Sequence, residues 1–178
     1  MESTRVLLLT EDGYKKFEDE LIYLKGVMRK KIAEQLKEAL SYGDIVDNTE
    51  YEDTKNSQAF VEGRIIILEK VLRSARILGA DDHNGHHVAI GSTVKLKNLE
   101  TNAVSVYSIV STVESNPFDN KISDLSPLGK AILGSEVGDQ VEVKAPAGIF
   151  YYQIEDIHNS IISNRDFHSF NESAEVAS

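Results

Sequence analysis

From Tyr14 onward the apolar side chains return every three or four residues. The first run is Tyr14, Phe17, Leu21, Leu24, Met28, Ile32, Leu36 and Ala39, with spacings of 3-4-3-4-4-4-3. That is a coiled-coil seam with a stutter-like drift near residues 28–36. Thr10 precedes the run as an N-cap, and Glu11 and Asp12 fall in the first turn, where the helix dipole favours negative charge. Gly26 costs helix propensity without breaking the pattern, and Gly43 is a stop signal. A second run, Tyr51, Thr54, Gln58, Val61, Ile65, Leu68, Leu72 and Ala75, is spaced 3-4-3-4-3-4-3. Its first half is polar and its second half apolar, so packing is expected to be tightest at the base and looser toward the turn. Two arms of roughly 30 residues, rising 1.5 Å each, predict a hairpin about 45 Å long. The short connection makes the arms antiparallel neighbours.

Past a polar stretch at 79–87, the period changes from 3.5 to 2. Residues 93–99, 103–110, 121–123, 140–144 and 149–157 read as strands, separated by turn signals such as Asn116-Pro117, Gly138-Asp139 and Pro146-Ala147-Gly148. Residues 127–133 read as one short helix. The expected fold class is α+β: an N-terminal antiparallel helical hairpin, then a small, mainly antiparallel sheet domain. The expected divisions are a hairpin at 1–78, a linker at 79–88, a sheet domain at 89–158 and a disordered tail at 159–178, which is rich in Ser, Asn and Glu.

The 178 residues are enough for one or two domains, and 41% apolar with 27% charged residues is ordinary for a soluble globular chain. No cysteine is present, which excludes disulfides, zinc–thiolate sites and a thiol nucleophile. The N-terminal apolar run, Val6 to Leu9, is too short for a signal or membrane segment, so a cytoplasmic location with no membrane partner is expected. Residues 1–80 hold 13 Lys and Arg against 15 Asp and Glu, a net of −2, and the remainder holds 6 against 14, a net of −8. The chain therefore lacks the dense basic footprint that duplex nucleic acid requires. Arg29, Lys30, Lys31 and Lys37 on the first arm form either a solvated helix face or a local nucleic-acid contact.

The turn between the arms carries the most suggestive chemistry. Asp44, Asp47, Glu50, Glu52 and Asp53 put five carboxylates in ten residues. Asp47 and Glu50 match a capping box for the second arm, which gives those acids an ordinary role. Asp44 has no such account, because it lies at the C-terminal end of the first arm, where the dipole disfavours negative charge. Two carboxylates on an exposed tip suit Mg2+, which takes one or two carboxylates and fills its shell with waters and phosphate oxygens. Such a site is incomplete until a partner supplies the remaining ligands. His83, His86 and His87 read as a solvated loop rather than a metal tract. No nucleophile elbow, phosphate-binding loop or dinucleotide fingerprint occurs.

These residues resemble the bacterial Gre transcript-cleavage factors, GreA type. Gly43-Asp44-Ile45-Val46-Asp47-Asn48-Thr49-Glu50-Tyr51 is similar to that family's Gly-Asp-Leu-x-Glu-Asn-Ala-Glu-Tyr. Glu62-Gly63-Arg64-Ile65 followed by Leu68-Glu69, Gly91-Ser92-Thr93-Val94, Tyr107-Ser108-Ile109-Val110, Ser126-Pro127-Leu128-Gly129-Lys130-Ala131 and Gly134-Ser135-Glu136-Val137-Gly138-Asp139 recur in order, covering roughly residues 5–157. The resemblance implies an FKBP-like sheet domain that docks on RNA polymerase and a coiled coil that enters its secondary channel. There the tip helps hold a magnesium ion shared with the polymerase, and backtracked RNA is cleaved by the polymerase's own activity. The factor is then a stimulator, not an enzyme with a complete active site, and a monomer is expected. Carried over by position, Asp44 and Asp47 are the catalytic, metal-holding pair, and Gly43, Asn48, Glu50 and Tyr51 support the tip. Lys37 and Lys55 are the nearest cations to guide the nascent RNA 3′ end, and Ser126 and Pro127 fall in the polymerase-docking loop. The family's usual Glu is here Asp47, shorter by about 1.5 Å, its frequent Arg is Leu40, and a usual polar residue is Leu125. The alternatives are a channel-binding inhibitor on the same scaffold, a prolyl isomerase, or a coiled-coil adaptor.

Overall fold

The computed structural model describes residues 6–41, 49–79 and 86–158. In chain order these form β1 (Leu7–Leu9), α1 (Glu11–Tyr23), a π-helical segment (Leu24–Met28), α2 (Arg29–Ser41), α3 (Thr49–Ser74), β2 (Ala75–Ile77), β3 (Thr93–Asn98), β4 (Val104–Val110), a 3-10 turn (Pro117–Asp119), β5 (Lys121–Ser123), α4 (Pro127–Ile132), β6 (Gln140–Ala145) and β7 (Gly148–His158). They divide into two compact units, one containing Tyr14–Ala75 and the other Leu7–Gly13 with the chain from Arg76 onward. No described helix is long and apolar enough to cross a membrane.

In the helical unit the two heptad runs meet as their spacing requires. Ile32, Val61 and Ile65 form the buried centre, surrounded by Leu21, Leu24, Met28 and Leu36. Toward the turn, Tyr51, Thr54 and Gln58 are only half-buried, whereas Val61, Ile65 and Leu68 are fully buried. The polar half of the second seam is thus the looser half. The drift in the first seam has a structural cause, placed one turn earlier than the spacing suggested. The Arg29 N–H donates to the Leu24 carbonyl, five residues back, so one wide turn is inserted at Leu24–Met28. That turn absorbs the four-residue step from Leu24 to Met28 and keeps both side chains on the seam.

The second unit is a five-stranded mixed sheet in the order β5-β4-β3-β7-β6. All neighbours are antiparallel except β4 and β5, which are parallel and reached through the 3-10 turn. A bulge between Lys95 and Leu96 shifts the β3–β7 register, so that Lys95 faces Asp156 and Leu96 faces Ile154. Val88, Val94, Leu96, Ile109, Ile132 and Ile154 make the core. α4 packs on β5 and β6, bringing Ile132 into that core. The strand and helix positions follow the period-2 reading to within about two residues.

Two features depart from the sequence expectation. β1 and β2 pair as a separate two-stranded sheet, extended by the Leu78 N–H donating to the Leu9 carbonyl at 2.8 Å. Leu7–Gly13 and Arg76–Leu78 therefore belong with the sheet unit, not with a hairpin running 1–78. The expected linker at 79–88 is also too long. Val88 is 2% exposed in the sheet core, and its N–H donates to the Ser135 carbonyl. Residues 80–85 and the expected tail at 159–178 lie outside the described residues.

Candidate functional site

The tip is carried by two arms that are clamped as well as packed. Arg29 forks onto Glu62, with Nε to Oε1 at 2.7 Å and a second nitrogen to Oε2 at 2.6 Å. Arg64 forks onto Glu20 at 2.7 and 2.8 Å, and Lys25 Nζ lies 2.6 Å from Glu69. The hydrogen bond from Arg64 holds Glu20 below the usual carboxylate range, and Arg29 does the same to Glu62. Bidentate pairs fix orientation as well as distance. These clamps surround the π-helical segment, where the first arm is locally wider.

Gly43, Asp44, Asp47 and Asn48 lie outside the described residues. Their supports are visible. At the end of α2 the Ser41 hydroxyl donates to the Glu38 carbonyl at 2.6 Å. In the first turns of α3 the Thr54 hydroxyl donates to the Glu50 carbonyl at 2.7 Å. Gln35, Glu38, Ala39, Glu50, Asp53 and Thr54 line a groove of about 590 Å³ between the arms. Glu50 is exposed and Tyr51 half-buried, so the two residues expected to support the tip face different surroundings. Lys37 and Lys55 are both exposed, one on each arm. Among the described residues no group of three or more His, Asp or Glu is placed to hold a metal.

In the sheet unit, Ser126 and Pro127 sit where β5 gives way to α4. The Ser126 hydroxyl is the N-cap, accepting from the Gly129 N–H at 3.0 Å, and Pro127 follows at the first helical position. Pro127 is exposed and Leu125 is 44% exposed. Elsewhere in this unit Glu114 accepts from the Thr10 N–H, the Thr10 hydroxyl and the Ser111 hydroxyl. Burial pushes its carboxyl above the ordinary range, and those hydrogen bonds oppose the shift. Thr10 also caps α1, accepting from the Gly13 N–H at 3.0 Å. Glu114 gave no signal in the sequence, because its partner Thr10 lies 104 residues away along the chain. A cavity in this unit, lined by Thr10, Asp12, Gly91, Thr93, Ser108, Val110 and Lys121, holds only about 40 Å³ and has no aromatic wall. That is far below the size of a typical ligand pocket.

Residues 7–77 match the family described as transcription elongation factor, N-terminal, and residues 80–159 match transcription elongation factor, GreA/GreB, C-term. The chain is 47% identical over 154 residues to the transcription elongation factor GreA of Syntrophomonas wolfei, covering 86% of this chain and 97% of that relative. It is 48% identical over 154 residues to the GreA of Alkaliphilus oremlandii, again covering 86% and 97%. Among solved structures it is similar to GreA factor homolog 1 of Thermus thermophilus, at 32% identity and a TM-score of 0.41, covering 86% of this chain and 99% of that one. The chain belongs to the GreA/GreB family of transcription elongation factors.

Proposed function

We propose that this chain is a transcription elongation factor that binds bacterial RNA polymerase, enters its secondary channel with the helical hairpin, and stimulates cleavage of backtracked RNA. The observation that carries this reading is the match of both units, in order, to the GreA/GreB family. The clamped hairpin supports it, because ion pairs across the arms stiffen a long projection that has to present its end accurately. Asp44 and Asp47 are the tip carboxylates assigned to metal holding. Their donor set fits Mg2+, which accepts two carboxylates and completes its shell from water and phosphate oxygens. When held there, the ion would lower the pKa of its water and steady charge on the phosphoryl group. Glu50 and Tyr51 set the start of α3 beneath the tip, and Lys37 and Lys55 are cations available to the RNA 3′ end. The polymerase supplies the rest of the site, so the chain is a stimulator without a complete catalytic centre of its own. It acts as a monomer in this reading.

The test is RNA shortening in backtracked elongation complexes with magnesium, with and without the protein. Binding with slowed elongation and no shortening would instead identify an inhibitor on the same scaffold. The observation favouring that second reading is Asp47 at a position where the resemblance expects the longer Glu.

A further inference from the structure

One carboxylate of the sheet unit grips the first turn of the hairpin's first helix. Leu7–Gly13 belongs to the sheet unit, although α1 begins at Glu11 and continues beyond it. Glu114, in the loop after β4, accepts the Thr10 N–H on both oxygens, at 3.2 and 3.3 Å. Oε1 also accepts the Thr10 hydroxyl proton, and Oε2 accepts from the Ser111 hydroxyl at 3.3 Å. With its only proton given to Glu114, the Thr10 hydroxyl is left as an acceptor, and it takes the Gly13 N–H at 3.0 Å. Carboxylate, hydroxyl and helix N-terminus therefore form one connected chain. An anion beside the first turn of a helix is also favoured by the helix dipole. Gly13 is buried and makes room for this anion, since a Cβ there would run into Oε1 of Glu114. Just before this turn, Leu9 is 0% exposed and its carbonyl accepts from the Leu78 N–H, so the strand leading into α1 is held as well.

Resting on the cleavage-factor reading above, we infer that Glu114, Thr10 and Gly13 are positioning residues: they hold the root of α1 so that the far end of the hairpin reaches the RNA accurately. Leverage is the reason that a small grip matters. The 26 residues of α3 span about 39 Å, so a tilt of about 2° at the root moves the far end by about 1.4 Å. A misplacement of about 1 Å at a reacting centre can cost up to about 10²-fold in rate. None of the three residues touches substrate in this account. They act through the direction of the helix that they start.

The test uses full-length wild type, Glu114→Ala, Glu114→Gln, Gly13→Ala and the double variant Gly13→Ala with Glu114→Ala. Backtracked elongation complexes with magnesium give the maximal rate of RNA shortening and the protein concentration for half effect. Amide hydrogen exchange of the free proteins reports on the root. Glu114→Ala is expected to lower the maximal rate by about five-fold or more, with the half-effect concentration unchanged. It should also speed exchange of the Thr10 amide by about ten-fold or more, the usual effect of losing a hydrogen bond to a charged group. Glu114→Gln keeps an acceptor for Thr10 and should restore both readouts. Gly13→Ala should reproduce Glu114→Ala by displacing the carboxylate, and the double variant should be no worse than Glu114→Ala, because both changes act through one contact. A wild-type maximal rate in Glu114→Ala would overturn the inference, as would Thr10 exchange that does not change. Full additivity of the two substitutions would overturn it equally. Should Glu114→Ala fail to fold, Gly13→Ala against wild type carries the same comparison. If wild type shortens no RNA, the cleavage reading itself fails, and the exchange measurement, which needs no polymerase, separates that failure from failure of the grip.

Discussion

Glu114→Gln isolates a half-buried carboxylate whose ionisation works against the fold. Glu114 is held by Thr10 and Ser111 within the sheet unit. Burial raises its pKa above the ordinary value of 4.5, and the hydrogen bonds from Thr10 and Ser111 and the charge of Lys121 offset part of the rise. The folded protein therefore binds this proton more tightly than the unfolded chain does. Stability due to this group is greatest below about pH 4.5, falls as pH rises through the folded pKa, and then levels. The slope in that window reaches at most about 1.4 kcal/mol per pH unit. Gln keeps the shape and can still accept from Thr10, so its stability near pH 4.5 should lie within about 1 kcal/mol of wild type. Urea unfolding from pH 4 to 8, followed by the near-UV signal of the half-buried Tyr107 and Tyr152, gives the difference directly. Wild type should lose ground to Glu114→Gln as pH rises. Because Glu20, Glu62 and Glu69 have lowered pKa values and contribute the opposite slope, only the difference between the two proteins is diagnostic. A difference that is flat, or that grows in favour of wild type, would refute the burial argument.

Ile65→Ala should destabilise the hairpin by about 2–5 kcal/mol, since Ile65 is 1% exposed at the centre of the seam; helix melting by far-UV circular dichroism checks this. A double-mutant cycle on Glu20 and Arg64 should give a coupling of about 0.2–1 kcal/mol that shrinks in high salt, because the fork is good but the side chains are about one-third exposed. Asp47→Glu should retain or improve RNA cleavage stimulation, by restoring about 1.5 Å of reach; a large loss of cleavage would contradict the reading of Asp47 as a shortened stand-in for the Glu that the resemblance expects.

Most of the fold was legible because burial imposed a period. Every seam position from Phe17 to Ala39, and from Val61 to Leu72, is buried or half-buried, and spacing alone identified them. The sheet strands showed through for the same reason. What could not be read were elements specified by distant partners. Leu7–Leu9 and Ala75–Ile77 are three residues each, too short to show alternation, and they find each other across the whole hairpin. The π-helical turn left a trace in the four-residue spacings, but spacing does not say which turn absorbs the extra residue. In the candidate site, charge and spacing single out Asp44 and Asp47, and both lie outside the described residues. The frame around Ser126 was not legible, because its partners are backbone atoms: the Ser123 carbonyl and the Gly129 N–H have no signature in side-chain identity. Gly129 explains itself only once that carbonyl is seen beside it.

The central claim is that the tip carboxylates act on RNA within a polymerase. Asp44 carries it best, because helix capping accounts for Asp47 but not for Asp44. The direct measurement is RNA shortening in a stalled, backtracked elongation complex with magnesium, comparing wild type with Asp44→Asn at concentrations where both bind polymerase equally. Wild type should shorten the RNA, and Asp44→Asn should fall to the level seen without the factor. Equal shortening by the two proteins, or none by wild type, would contradict the account.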